Sequence, residues 1–142
     1  MKLSARSRYA TRLLLDLALS QTDDSPRRTT LLSEATGITV QFIEQILRPL
    51  KQAGLVVSVR GAAGGHILNR DPAEITVGEI VRIMEGGVKL TDCVFDENLC
   101  ERASTCRTRH VWVRASKVLE QELDSVTLAD LMADPGHFPL ED

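Results

Sequence analysis

Tyr9, Leu13 and Leu17 recur every four residues in "LSARSRYATRLLLDLALS", a spacing that predicts an amphipathic helix from about Ser4 to Ser20. Its basic start and closing "ALS" imitate a secretion signal, but Asp16 cuts the apolar stretch, so the segment reads as a mature helix. After a polar loop, "TTLLSEATGITVQFIEQILRPLKQAGL" predicts a short helix from about Thr30 to Thr36, a turn at Gly37, and a longer helix capped by Thr39. Ile43, Ile46, Leu47 and Leu50 share the core face of that second helix. Gln41, Glu44, Gln45 and Arg48 are left for solvent or a ligand, and Pro49 predicts a local distortion. Two helices joined by a turn of this length describe a helix-turn-helix, with a plain αα-hairpin as the simpler alternative.

Strand-like runs follow from Leu55 to Val59 and from His66 to Leu68, joined by the glycine-rich "RGAAGG". No Gly-Lys-Ser/Thr follows these glycines and a strand comes next, which excludes a phosphate-binding P-loop. A basic hairpin directly after a helix-turn-helix is the layout of a winged helix. Arg60 at its tip and Arg70 at its base are placed to meet phosphates or a narrow minor groove. Capping-box spacings at Thr76–Glu79 and Thr127–Asp130 open two further helices, the first ending near Met84. Between them Trp112, Ala115, Leu119 and Leu123 mark a helix from about Arg107 to Leu123, whose apolar stripe is assigned to a homodimer interface. Packing back on the first helix is the alternative for that stripe. The expected fold is mainly α with a small β-hairpin wing: a winged helix-turn-helix domain over residues 1–86, a cysteine loop over 87–108, and a dimerisation helix with a C-terminal helix and tail over 109–142.

Charge adds a partner to this picture. The net −3 of the 142-residue chain hides an asymmetry: residues 1–70 carry ten Lys/Arg against five Asp/Glu, whereas residues 71–142 carry seven against fifteen. A basic first half suits a polyanion and an acidic second half repels one. No apolar run approaches the ~20 residues needed to cross a bilayer, so no membrane partner is expected. No paired acid and base and no substrate-pocket motif are visible, which leaves an enzyme as the weakest class.

All three cysteines fall in "DCVFDENLCERASTCRTRHVW", as Cys93, Cys100 and Cys106, with His110 close behind. An odd number suits a disulfide framework poorly and a cytoplasmic metal site better. Thiolate-rich sites select zinc, copper(I) or iron in a cluster. Spacings of six and five residues lack the short pairs of structural zinc knuckles and leave wider arcs. From the residues alone, iron–sulfur and zinc stand level, with a metal-free thiol switch third. Asp96, Glu97 and Glu101 are reserve oxygen ligands at most, Trp112 reads as an interface or core anchor, and His137 as an exposed tail residue.

"LSARSRYATRLLLDLAL", "QFIEQILRPLKQAGLVVSVRGAAGGHIL", "ITVGEIVRIMEG" and the final "TLADL" together resemble the Rrf-two family of bacterial winged-helix regulators, in its iron–sulfur, IscR- and NsrR-like form. The resemblance covers nearly the whole chain. It implies a cytoplasmic transcription factor that binds double-stranded DNA at a palindromic operator as a homodimer. Gln41, Phe42 and Glu44 would face the major groove and Arg60 enter the minor groove, with Arg6, Tyr9, Thr39, Gln45 and Gly61 completing the contact set. It also implies an iron–sulfur cluster, 2Fe–2S ahead of 4Fe–4S, on Cys93, Cys100 and Cys106 with His110 as fourth ligand. Where such members place a histidine, three residues after the last cysteine, this chain has Arg109, and His110 comes one residue later. The alternative function is a cluster-free winged-helix regulator signalled by thiol oxidation or a protein partner.

Overall fold

The computed structural model describes residues 2–21 and 25–133. The expected tail, His137 included, lies outside them. Helix α1 (Ala5–Ser20) starts at Ser4, whose hydroxyl accepts the Ser7 N–H, and it forms the centre of the molecule. Ala10, Leu13, Leu14, Leu17 and Ala18 are buried along it, and it packs against α2 (Thr29–Thr36), α3 (Val40–Gln52), α4 (Val77–Glu85) and α6 (Leu128–Met132). Thr39 caps α3 by accepting the Phe42 N–H, and Ile43, Ile46, Leu47 and Leu50 are buried as their spacing predicts. The helix runs through Pro49 to Gln52, and the Pro49 carbonyl still accepts the Ala53 N–H at 3.0 Å. A proline this near the end removes one hydrogen bond of the last turn without breaking the helix.

Strands β1 (Val56–Val59) and β2 (Gly65–Leu68) pair antiparallel, Val56 opposite Leu68 and Val59 opposite Gly65. Arg27 adds a single bridge on the far side of β2, exchanging backbone hydrogen bonds with His66 at 2.9 and 2.8 Å. That close approach requires Gly65, because a Cβ there would sit 2.5 Å from the Arg27 carbonyl carbon and oxygen. The wing is therefore tied to the segment that leads into α2.

Of the two expected capping boxes, only the second closes completely. Thr127 accepts the Asp130 N–H, and the Asp130 carboxylate accepts the Thr127 N–H in return. At α4, Thr76 accepts the Glu79 N–H, but the Glu79 carboxylate pairs with Arg70 at 2.6 Å. The two caps lie side by side: Val77 N–H donates to Val126 and Leu128 N–H to Ile75, at 2.8 and 2.9 Å. This strand-like exchange delivers Leu128, fully buried, into the same core as Leu13 and Ile80.

Helix α5 (Arg109–Asp124) starts two residues later than its apolar stripe suggests and packs on α4. Its hydrogen-bonded contacts with the body run through Ser116, Glu120 and Asp124. Ser116 is its one buried residue and accepts the Leu90 N–H. Arg82 on α4 donates to both Asp124 oxygens, at 2.9 and 2.8 Å, and to Glu120 at 3.0 Å. Asp124 also accepts the Thr76 hydroxyl and lies so close to Gly78 that a Cβ there would collide with its carboxylate. The expected stripe divides accordingly. Leu119 and Leu123 line an apolar groove of about 280 Å³ with Leu3, Val81 and Val88, while Trp112 and Ala115 face outward, beside Val111 and Val118, which the stripe did not include.

Candidate nucleic-acid interface and cysteine loop

The outward side of α3 carries Gln41, Glu44, Gln45 and Arg48, all exposed. Gln45 and Arg48 share one surface groove with Arg6 of α1. On the other side of α3, Glu44, Arg48 and Lys51 border a cleft closed by Thr29 and His66 of the wing base. His66 hydrogen-bonds Thr29 at 3.0 Å and Ser58 at 3.4 Å. Burial pushes its pKa down, the Lys51 charge adds to this and Glu44 opposes it. A neutral imidazole in this position links the wing to α2 by hydrogen bonds rather than charge.

Tyr9 and Phe42 have a different setting from the exposed polar residues. Their rings meet edge to face at 5.6 Å, half-buried against the core. The guanidinium groups of Arg8 and Arg12 lie 5.7 and 5.5 Å from the Tyr9 ring centre. The aromatic pair thus docks the start of α3 on α1 and gathers two cations beside it. Thr39 is exposed but holds the helix cap.

Arg60 and Gly61 are exposed at the wing tip, Gly61 with φ 111°. Arg28 reaches across to hydrogen-bond the Ala62 carbonyl, which braces the wing loop from α2. Arg70 does not extend freely from the wing base: Glu79 and the Glu74 carbonyl hold its guanidinium at 2.6 and 2.8 Å.

The cysteine loop consists of three single turns of 3₁₀-helix, Asp92–Val94, Glu97–Leu99 and Ala103–Thr105. Cys93 lies within the first turn, Cys100 follows the second and Cys106 the third. Cys93 and Cys106 are half-buried, with the Thr91 and Thr108 hydroxyls at 3.1 and 3.2 Å, while Cys100 is exposed. The Thr108 hydroxyl, then the Arg109 backbone N–H, hold the Cys106 thiol below its ordinary pKa. Among the described residues, no three His, Cys, Asp or Glu side chains are drawn together as a metal site. The donor set nonetheless fits a thiolate-bound group: soft sulfur ligands, one of them already biased toward the thiolate. A cluster would have to draw the three turns together.

His110 occupies the first turn of α5 and is exposed. Asp96 caps Asn98, Glu97 pairs with Arg109 at 3.0 Å, and Glu101 is exposed, so the reserve carboxylates have other settings. Arg109 itself donates to the Cys93 and Val94 carbonyls at 2.8 and 3.3 Å. Sequence reading gave Arg109 and the Arg82 clamp no role, because both join elements far apart in the chain. Glu120 and Asp124, four residues apart opposite a helix bearing Arg82, were the available signal for the second.

Residues 3–134 match the profile of the Rrf2 family, described as an iron-dependent transcriptional regulator. The chain belongs to the Rrf2 family. It is 37% identical over 139 residues to protein rrf2 of Nitratidesulfovibrio vulgaris, covering 98% of this chain and 92% of that one. The structure of T. potens IscR superposes with a TM-score of 0.76 at 34% identity, covering 99% of this chain and 94% of that one. CymR, the global cysteine regulator of B. subtilis, superposes equally well, with a TM-score of 0.76 at 32% identity over 94% of this chain and 97% of its own. As an Rrf2 protein the chain is a DNA-binding transcriptional regulator and not an enzyme. Its winged-helix architecture is that of the family, and no helix among the described residues is long and apolar enough to cross a membrane.

Proposed function

We propose that this Rrf2 regulator reads iron–sulfur cluster status, redox poise or nitric oxide through a cluster held by Cys93, Cys100 and Cys106, and transmits that state to DNA. The observation that carries the reading is the continuity of the chain from thiols to α5, since Cys106 lies three residues before Arg109 opens that helix. The cluster supplies a redox- and ligand-sensitive centre, 2Fe–2S ahead of 4Fe–4S. The chain's own part is to turn the position of the loop into the position of α5. His110, exposed beside the loop, is the fourth-ligand candidate.

Gln41, Glu44 and Gln45 are the base-reading candidates on the exposed side of α3, and Arg60 with Gly61 the minor-groove pair. Arg6 supplies phosphate contact, while Tyr9, Phe42 and Thr39 set the pose of α3. Val111, Trp112 and Val118, at 55%, 41% and 65% exposure, form the apolar seam of a homodimer that reads a palindromic operator from the cytoplasm. A cluster-free regulator is the second reading, favoured by the exposure of Cys100 and the lowered pKa of Cys106, both suited to thiol oxidation.

Anaerobic purification with a visible spectrum and an iron and sulfide assay separates the two, followed by operator titration of loaded and apo protein at equal salt. A coloured protein that loses iron in the Cys93→Ser, Cys100→Ser and Cys106→Ser variants, with a 5- to 150-fold affinity change between states, is expected for coupling of about 1–3 kcal/mol. Full iron in all three serine variants refutes the ligand set. Colourless protein whose DNA affinity changes on thiol oxidation selects the second reading.

A further inference from the structure

Arg109 is well covered for a charged side chain, 14% exposed against 67% for its partner Glu97. Its three side-chain nitrogens each have an acceptor. Nε donates to the Cys93 carbonyl at 2.8 Å, one terminal nitrogen to the Val94 carbonyl at 3.3 Å, and the other to Glu97 at 3.0 Å. All three acceptors belong to the first part of the cysteine loop. The arginine backbone belongs to the first turn of α5, where Val111 and Trp112 N–H groups close on the Thr108 carbonyl. One side chain thus bridges 16 residues of sequence between Cys93 and the helix start.

We propose that Arg109 is the positioning residue that couples the first cysteine turn to the start of α5. The planar guanidinium fork can satisfy two backbone carbonyls and a carboxylate at once, which an ammonium on a flexible stem cannot do in the same geometry. The Leu90 N–H bond to Ser116 ties the loop to α5 about two turns further along, so Arg109 is the side chain that holds the first cysteine turn to the start of the helix. A displacement of Cys93, by metal binding or by oxidation, therefore moves the carbonyls that Arg109 holds and with them the first turn of α5. The coupling is a property of the polypeptide and does not rest on the cluster, whose presence the iron and sulfide assay decides separately.

Hydrogen exchange followed by mass spectrometry, on the full chain as purified, tests this. Peptides covering residues 92–99 and 109–113 report the two ends of the bridge, and a peptide covering 56–68 reports the wing. In Arg109→Gln both ends should exchange about tenfold faster together, as loss of charge-assisted hydrogen bonds allows, with the wing unchanged. Arg109→Lys should behave like Arg109→Gln. Methylguanidinium added to Arg109→Ala should slow both ends again, whereas methylamine should not. Glu97→Gln, which removes the charge of the one exposed acceptor, should give a smaller parallel rise. Faster exchange at one end only, or at neither, overturns the proposal. Should Arg109→Gln unfold, seen as faster exchange in the wing as well, the Glu97→Gln variant decides: a parallel rise at both ends supports the coupling and no rise refutes it.

Discussion

Replacing Arg82 by Gln should loosen α5 from α4 and reveal how much of that contact is electrostatic. The guanidinium makes a forked pair with Asp124 and a third bond to Glu120, all between 2.8 and 3.0 Å. Such a fork is the strong form of the interaction. However, the three side chains are 40%, 39% and 29% exposed, so water and salt screen them. Exposed pairs are worth about 0.2–1 kcal/mol each, and a forked, networked set reaches the upper end, so a loss of about 1–2 kcal/mol is expected. Arg82 holds the Asp124 carboxyl below the usual carboxylate range, and Arg82 itself is raised. A carboxylate with a depressed folded pKa contributes stability that is present above its unfolded pKa of about 3.9 and lost as pH falls through the lower folded value. Urea unfolding of wild type, Arg82→Gln, Asp124→Asn and the double variant gives the coupling energy directly. It should be near 1 kcal/mol at pH 7 and low salt, shrink with added salt, and vanish in acid below the folded pKa of Asp124. Zero coupling at pH 7, or coupling that survives in acid, would refute the electrostatic account of the helix contact.

Leu128→Ala should destabilise the folded chain by about 2–5 kcal/mol in the same urea assay, because it empties a fully buried position beside α1; a loss under 1 kcal/mol would detach α6 from the core. Gly78→Ala should weaken the α4–α5 contact and abolish most of the Arg82–Asp124 coupling energy, since its Cβ displaces the Asp124 carboxylate. Arg60→Ala should lower operator affinity by about 1–3 kcal/mol if the wing reads a specific site, or reduce the salt slope by about one counterion if it meets phosphate alone. Unchanged affinity and slope in an anisotropy titration would remove the wing from the interface.

What was legible from sequence is local. Thr39, Gly37 and the spacing of Ile43, Ile46, Leu47 and Leu50 encode the turn and second helix of the helix-turn-helix between Gly37 and Leu50, and the structure has it where the pattern says. The wing follows from two short strand-like runs around a glycine-rich turn, and the grouping of the thiols is visible in the string itself. Caps, turns and periodicity act over a few residues, so each carries its own signal. Tertiary structure decided what depends on distant partners. The Thr76–Glu79 cap is only half made, because Arg70 competes for Glu79. Only packing could show that α5 meets the body through Arg82, Ser116 and Asp124, which turns Val111, Trp112 and Val118 outward. A helix of 3.6 residues per turn presents several faces, and its own sequence does not say which neighbour claims one of them. The same holds for Arg109: its charge is in the sequence, but its hold on Cys93 and Val94 exists only because the loop folds back onto the helix that carries it.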